Sequence, residues 1–295
     1  SVPSYYDEDL ATFSGSFSQR NRGELFWYNP YIPVRTREIW PNQSTSVQAG
    51  NETTDVLILR HRKRAHQKNI INDSTWVGVT TSLYSGDYDQ TQSKFFEIWL
   101  KGTNGKLTID LGKISEDWDG NGVLNTEDVP EAGLTLGNGF LEDQEDTGLD
   151  GCFDENEDGW GGCLEQNTYQ FYIDQGQPDL INIGYDVDPN DPNGDNWNYD
   201  QGSMDYSKAN GTEGNGTGSK IQEGGKYPDT EDLDRSGFLD KVNDYFSASF
   251  NLVDTTYLAG QTEKNGMQTG WKLYRIPLAD FKNLSTTEWN EIRYI

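Results

Sequence analysis

The stretch KLTIDLGKISEDWDGNGVLNTED, Lys106 to Asp128, changes character halfway along. In its first part Leu107, Ile109 and Leu111 share one face of an extended chain, and Thr108, Asp110 and Gly112 share the other. That two-residue period is the mark of a half-buried antiparallel strand. In its second part oxygen-bearing side chains stand at alternate positions: Asp117, Asp119 and Asn121, then Gly122, with Asn125 and Asp128 further on. An EF-hand-type loop presents ligands in that order, at positions 1, 3, 5, 9 and 12, with glycine at 6 for the sharp turn. Val123 takes position 7, where the backbone carbonyl is the ligand and the side chain is expected to turn inward. Calcium needs about six to eight hard oxygens, so one short loop must fold round the ion and supply most of them.

The pattern recurs twice. Asp154, Asn156, Asp158, Gly159 and Glu165 occupy positions 1, 3, 5, 6 and 12 of a second loop, with Trp160 at position 7. Asp232, Asp234, Ser236, Gly237, Phe238, Asp240 and Asn243 make a third, weaker at its last position. Asp or Asn at position 12 shortens the usual bidentate Glu arm, so the first and third loops are expected to bind more weakly or through water. Acidic, Gly- and Asn-rich segments also serve as plain solvated turns. Repetition favours Ca2+. A fourth acidic stretch, DVDPNDPNGD (Asp186 to Asp195), lacks glycine at the required place and reads as a polar turn.

Around these loops lie strands. ELFWYNPYIPV (Glu24 to Val34) holds two prolines, which exclude a helix and point to extended edge structure. TDVLILRHR (Thr54 to Arg62) reads as a strand that starts well buried and ends basic. TWVGVTTSLYS (Thr75 to Ser85) alternates with Val77, Val79, Thr81 and Leu83 on one face. KFFEIWLKG (Lys94 to Gly102) precedes the Lys106 strand across Thr-Asn-Gly, a hairpin signal. Islands at Thr168 to Asp174 and Asp179 to Asp188 are strand-like, and the segment from Lys208 to Lys226 reads as flexible. Strands return at DYFSASFNLVD (Asp244 to Asp254), with Phe246, Ala248, Phe250 and Leu252 in phase, then at Trp271 to Phe281 and Trp289 to Ile295.

The expected class is mainly β: an antiparallel, jelly-roll-like (galactose-binding-like) β-sandwich carrying a long calcium-binding insertion. Residues 1–50 form an extended N-terminal segment, 51–114 the first half of the sandwich, 115–243 the insertion and 244–295 the second half. A structureless insertion of that length does not suit a compact domain. Metal ions holding successive turns would replace the missing apolar core. The last strand runs to the final residue and no signal peptide is visible, so the chain is expected to be a fragment of a longer or processed product.

The 295 residues carry 49 acidic against 23 basic side chains, a formal net charge of -26. That argues against a nucleic-acid backbone as partner, because such binding is driven by Lys and Arg releasing counterions. It suits bound cations and a soluble exposed surface. Aromatics at 13% are too many for a disordered acidic tail. The two cysteines, Cys152 and Cys163, bracket the Asp154 loop. They suit a disulfide in an oxidising compartment, with two free thiols as the alternative.

Several phrases resemble the family of SprA (also called Sov), the very large outer-membrane translocon of the type IX secretion system and gliding machinery. They are WVGVTTSLYSGDYDQTQSKFFEIWLKG, GKLTIDLGKISED, DPNGDNWNYDQGS, PDTEDLDRSGFLDKVNDYF and GWKLYRIPLADF with WNEIRYI, in the family's order. The resemblance covers Trp40 to the end of the chain. It implies a soluble insertion beside an outer-membrane barrel, with a structural role in protein secretion and no catalysis. The partners it implies are the rest of the barrel, its accessory proteins and the secreted passenger proteins. The location it implies is extracytoplasmic, at the outer membrane or cell surface. The chain is far shorter than the family, and the Cys152–Cys163 loop has no place in the family's pattern.

Two other classes compete. An enzyme finds little support: the only histidines, His61 and His66, lie together in RHRKRAH, and no nucleophile elbow, zinc-protease or phosphate-loop motif is present. A glycosidase needs only two carboxylates about 5–10 Å apart, and here the acids concentrate in metal-type loops. The stronger rival is a calcium-dependent carbohydrate-binding module of a secreted or cell-surface protein, with Trp76, Trp160, Trp197 and Tyr199 as candidate glycan contacts. The basic island Arg60 to Lys68 reads as a solvated strand end, or as a contact for an acidic partner.

Overall fold

The structure, a computed structural model, describes residues 23–42, 52–62, 75–83, 88–117, 122–130, 137–142, 144–149, 151–157, 190–192, 194–197, 204, 212–214, 227–283 and 286–295. It is mainly β, and among the described residues its named strands pair antiparallel, with one isolated parallel bridge between Asn196 and Glu213. The chain divides into two compact units, one of Ser1–Tyr28, Ile58–Thr80 and Ser115–Lys241, the other of Asn29–Leu57, Thr81–Ile114 and Val242–Ile295. Among the described residues no helix is long and apolar enough to cross a membrane, which has no bearing on passage by strands.

The second unit is built on two three-stranded sheets. β6 (Lys106–Lys113) and β7 (Asp244–Asn251) pair along their whole length, with β10 (Lys282–Asn283) on the far side of β7. β5 (Phe95–Leu100), β9 (Met267–Pro277) and β8 (Leu258–Lys264) form the other sheet, with β9 central. The registers set apolar residues opposite one another: Leu107 with Phe250, Ile109 with Ala248, Leu111 with Phe246. In the other sheet Phe96 faces Ile276 and Ile98 faces Tyr274. These inward faces meet in one core, in which Ile109, Leu111, Phe246, Phe250, Tyr274, Ile276 and Ile292 are buried. The Phe250 and Tyr274 rings lie 4.7 Å apart across the sheets, and Tyr274 Oη donates to the Leu252 carbonyl at 3.0 Å. This is the arrangement of a β-sandwich.

The alternations of Leu107 to Leu111 and Phe246 to Phe250 are as the sequence implies. The hairpin is not. β5 and β6 lie in different sheets, so the turn at Thr103, Asn104 and Gly105 carries the chain from one layer to the other. Its far end is tied to β7, where Leu252 N donates to the Gly105 carbonyl at 2.9 Å. Each strand buries its apolar face by pairing with a distant partner, and that gain outweighs the local turn preference. The segment from Thr75 to Leu83 also departs from expectation. It forms isolated bridges at Trp76, Thr80 and Ser82 rather than a strand, with Thr80 buried instead of Thr81. The Thr54–Arg62 stretch splits into β3 (Thr53–Thr54) and β4 (Ile58–Arg62), and Leu57 and Leu59 are half exposed rather than well buried.

Among the described residues of the first unit, β1 (Glu24–Tyr28) pairs with β4 in a two-stranded sheet in which Leu25 and Phe26 are buried. Arg62 lies over the Phe26 ring at 5.0 Å from its centroid. Arg60, His61 and Arg62 are exposed, and the remainder of the basic island lies outside the described residues. The islands at Thr168 to Asp174 and Asp179 to Asp188, and most of Lys208 to Lys226, also lie outside them. β2 (Val34–Arg35) pairs with β3 in the second unit.

Candidate metal centre

Among the described residues, the acidic part of the first unit shows a hydrogen-bond frame in three copies. Each copy begins with Ser or Thr, then Glu, then Asp: Ser115-Glu116-Asp117, Thr126-Glu127-Asp128 and Thr230-Glu231-Asp232. In each, the Asp backbone N–H donates to the hydroxyl two residues before it, at 3.3, 3.2 and 3.2 Å. Such turns compete with strand and helix, so the chain leaves regular structure there. In each, one Asp oxygen accepts the N–H of a glycine further on: Gly122 to Asp117 Oδ2 at 3.0 Å, Gly139 to Asp128 Oδ2 at 3.0 Å, Gly237 to Asp232 Oδ2 at 2.7 Å. The three glycines have φ of 76°, 78° and 78°. That left-handed conformation costs a side-chain-bearing residue about 1–2 kcal/mol, which accounts for glycine at position 6.

The glutamates complete the frame. Glu116, Glu127 and Glu231 are 3%, 1% and 0% exposed. Each donates its own N–H to a remote carbonyl and accepts the N–H of that same remote residue on Oε2. Glu116 does so with Asp240 (2.8 and 3.1 Å), Glu127 with Asp229 (3.0 and 2.7 Å) and Glu231 with Asn125 (3.0 and 2.8 Å). Glu127 Oε1 also accepts from Gly148 N at 3.0 Å. Burial pushes the Glu127 carboxyl up to about 9; the Asp229 and Gly148 donors work against that rise, and the charges of Asp229 and Asp146 add to it.

The Asp232 loop is described in full. Asp232 Oδ1 and Asp234 Oδ1 both accept from Ser236 N, at 2.8 and 3.0 Å, and Asp240 is partly buried. Asn243 is exposed. Of the Asp117 loop, Asp119 and Asn121 lie outside the described residues; Asp117, Gly122, Val123, Asn125 and Asp128 lie within them. The side chains at position 7 do not turn inward: Val123 is 63% and Phe238 76% exposed. The Phe238 carbonyl accepts from Ser236 Oγ at 3.1 Å. Asp117 Oδ1 and Asp128 Oδ1 are buried atoms with no hydrogen-bond partner, each beside an Oδ2 that the glycine N–H satisfies.

Asp128 has a second place in this scheme. The sequence casts it as position 12 of the Asp117 loop, yet its carboxylate opens a loop of its own, closed at Gly139 after a longer arm. Counted from that glycine, Glu142 and Glu145 fall at positions 9 and 12. Glu145 accepts from Val129 N and Glu142 N, each at 3.2 Å, and burial together with the adjacent Glu142 raises its carboxyl above the usual range. Spacing alone conceals this loop. The recurring Ser/Thr-Glu-Asp triplet, and the Leu two residues after each glycine, would have revealed it.

Of the Asp154 loop, Asp154 and Asn156 lie in a 3₁₀ turn, while Asp158, Gly159, Trp160 and Glu165 lie outside the described residues. Cys152 is disulfide-bonded; Cys163, the other cysteine of the sequence, lies outside them too. The stretch ending at Asp195, expected to be only a polar turn, brings acids to this loop. Asp191 Oδ1 accepts from Asp195 N at 2.9 Å and Asn196 N at 3.3 Å, the spacing that Asp232 uses with Ser236 and Gly237. Asn196 Nδ2 donates to Asp154 Oδ1 at 2.7 Å. Among the described residues, three groups place carboxylate oxygens within 4.8 Å of one another: Glu116, Asp232 and Asp234; Asp154, Glu157 and Asp191; Glu157, Asp195 and Glu213. Like charges that close repel by on the order of 3–4 kcal/mol per ionised pair at an effective dielectric of about 20. Hard oxygen donors of this kind are the ligands of calcium, not of softer metals.

Of the candidate glycan contacts, Trp76 and Trp197 are half-buried, and Trp160 and Tyr199 lie outside the described residues. No protein family matches the chain when it is compared with family profiles, and no curated protein matches it by sequence.

Proposed function

We propose that this chain is a calcium-stabilised structural domain for an extracytoplasmic setting, of the kind an SprA-like outer-membrane translocon would carry beside its barrel, and that it has no catalytic role. The observation that carries the calcium part is the threefold frame. It fixes an Asp carboxylate with one oxygen satisfied by glycine, and in two copies leaves the other oxygen buried without a partner. A divalent cation would supply that partner at Asp117 and Asp128, and a cation within each acidic group would relieve the repulsion there. Binding to the folded state alone adds stability as RT ln(1 + [L]/Kd), about 2.7 kcal/mol for each site at a hundred times its Kd. The jelly-roll topology, the outer-membrane location, the barrel and passenger partners and the secretory role belong to the same proposal and rest on the sequence phrases.

Two measurements test it. Equilibrium dialysis should find more than one calcium per chain at millimolar free ion, with melting raised above that in chelator. Identical melting in both, with no bound ion, would overturn the calcium reading. An antibody against this chain should detect a very large species that pellets with outer membranes. A soluble native product near the size of this chain would remove the translocon.

One observation favours glycan binding as a second reading. In the second unit Ile39, Trp40, Pro41, Asn42 and Trp99 line a cleft of about 490 Å³. The Trp40 and Trp99 rings meet edge to face at 6.1 Å, and Trp40 is 37% exposed. Aromatic walls with one amide suit a neutral sugar ring. Retention on immobilised neutral polysaccharide, lost in Trp40→Ala, would favour that reading over a purely structural one.

A further inference from the structure

We propose that the Asp117 and Asp232 loops take up calcium as one cooperative unit, coupled through two crossed positioning residues, Glu116 and Glu231. This coupling presupposes the calcium binding proposed above and adds how two of the sites are linked. Each glutamate stands one residue ahead of position 1 of its own loop, yet its carboxylate serves the other loop. Glu116 Oε1 accepts from Leu233 N at 2.8 Å and Asp234 N at 3.3 Å, and its Oε2 from Asp240 N at 3.1 Å. Those donors are positions 2, 3 and 9 of the Asp232 loop. Glu231 Oε2 accepts from Asn125 N at 2.8 Å, position 9 of the Asp117 loop.

The backbones repeat the crossing. Glu116 N donates to the Asp240 carbonyl at 2.8 Å and Glu231 N to the Asn125 carbonyl at 3.0 Å. Lys241 Nζ adds a further link to the Gly122 carbonyl. The two loops are therefore related by a local twofold exchange, although more than a hundred residues separate them in the chain. The Glu116 carboxylate also lies among the oxygens of Asp232 and Asp234.

Closing a loop round an ion fixes its position 1 and its position 9 together. Position 1 of the Asp117 loop is the next residue after Glu116, and Glu116 holds the backbone of the other loop at positions 2, 3 and 9. Position 9 of the Asp117 loop is held by Glu231, the residue before position 1 of the other. Ordering either loop thus orders both ends of its partner, and the ordering cost of the second ion has been met by the first. The coupling must be reciprocal.

Hydrogen exchange read by mass spectrometry along a calcium titration of the full chain tests this, because it reports each loop separately. In the native sequence, peptides covering 116–128 and 230–243 should gain protection at one shared midpoint, with a steeper than single-site rise. Asp232→Asn should raise the midpoint of the 116–128 peptide, and Asp117→Asn that of the 230–243 peptide, by about fivefold to a hundredfold. Glu116→Gln should loosen the 230–243 peptide more than its own. Peptides from β7 and β9 should keep their protection throughout and so report that each variant is folded. Separate midpoints in the native sequence, or variants that shift only their own loop, would overturn the coupling and leave the calcium sites standing. No gain of protection in either peptide at millimolar calcium would overturn both. The native titration alone decides between these outcomes should a variant fail to fold.

Discussion

The two units solve the same problem by opposite means. In the second, Tyr274, Ile276, Ile292 and Phe250 leave water together, and order comes from apolar area and interdigitated rings. In the acidic part of the first, the buried side chains include Glu116, Glu127, Asp146, Glu157, Glu213 and Glu231, and their partners include backbone N–H groups of distant loops. An apolar core is fairly tolerant of volume-conserving exchanges among its aliphatic groups. A carboxylate core is not, because each oxygen must find its donor and each charge its compensation. Order of the second kind is specific in register but depends on what neutralises it.

Removing the cation should act on the first unit alone. Chelation should cost the first unit its exchange protection over Glu116–Asp128 and Thr230–Asp240, with more than one site lost at about 2.7 kcal/mol each when calcium stands at a hundred times Kd. β7 and β9 should change little. Uniform loss in both units, or none in either, would mean that calcium does not separate the two kinds of order.

The converse experiment acts on the sandwich. Ile276 is fully buried in β9, and Ile276→Ala should lower stability by about 2–5 kcal/mol through lost transfer energy and a cavity. That loss should be equal in calcium and in chelator when read by denaturant midpoints of the sandwich. A loss that depended on calcium would tie the apolar core to the metal.

How much of this is legible in sequence follows from the same contrast. Period-2 alternation is a local property, so Leu107, Ile109, Leu111 and Phe246, Ala248, Phe250 are readable without any partner. Strand pairing is not local, and the Thr-Asn-Gly signal misdirects because β5 and β6 both have better partners far along the chain. The Asp232 loop, with its glycine five residues on, is readable by spacing. The Asp128 loop is hidden by the long arm before Gly139. Glu116, Glu127 and Glu231 escape notice for a different reason. A glutamate in a polar run reads as solvated, and only its distant backbone donors make it core.

Glu127 offers a finer test. Glu127→Ala would strand the Asp229 and Gly148 amides in a buried place, at about 1–3 kcal/mol for the unmet donors. Calorimetric melting in calcium should show the loss, with Glu127→Gln recovering part of it through its remaining carbonyl oxygen. Equal melting of all three would return these glutamates to the solvated surface.

The smallest expected effect isolates the backbone. Gly237 has φ of 78°, and a Cβ added there would meet no atom within 4 Å. Gly237→Ala therefore introduces strain without a new contact, whereas the Cβ of Gly122→Ala would also press on the end of the Lys241 side chain, with Nζ at 3.2 Å. The cost should be about 1–2 kcal/mol by denaturant midpoint in calcium. Gly237→Asn should recover a part, since Asn enters the left-handed region more readily. Because the Gly237 N–H must also reach Asp232 Oδ2, the same variant should weaken calcium retention by the 230–243 peptide. If Gly237→Ala is as stable as the native chain and holds calcium as well, position 6 is not fixed at positive φ. The repeated frame is then an ordinary polar turn, and the contrast between the two units loses its physical basis.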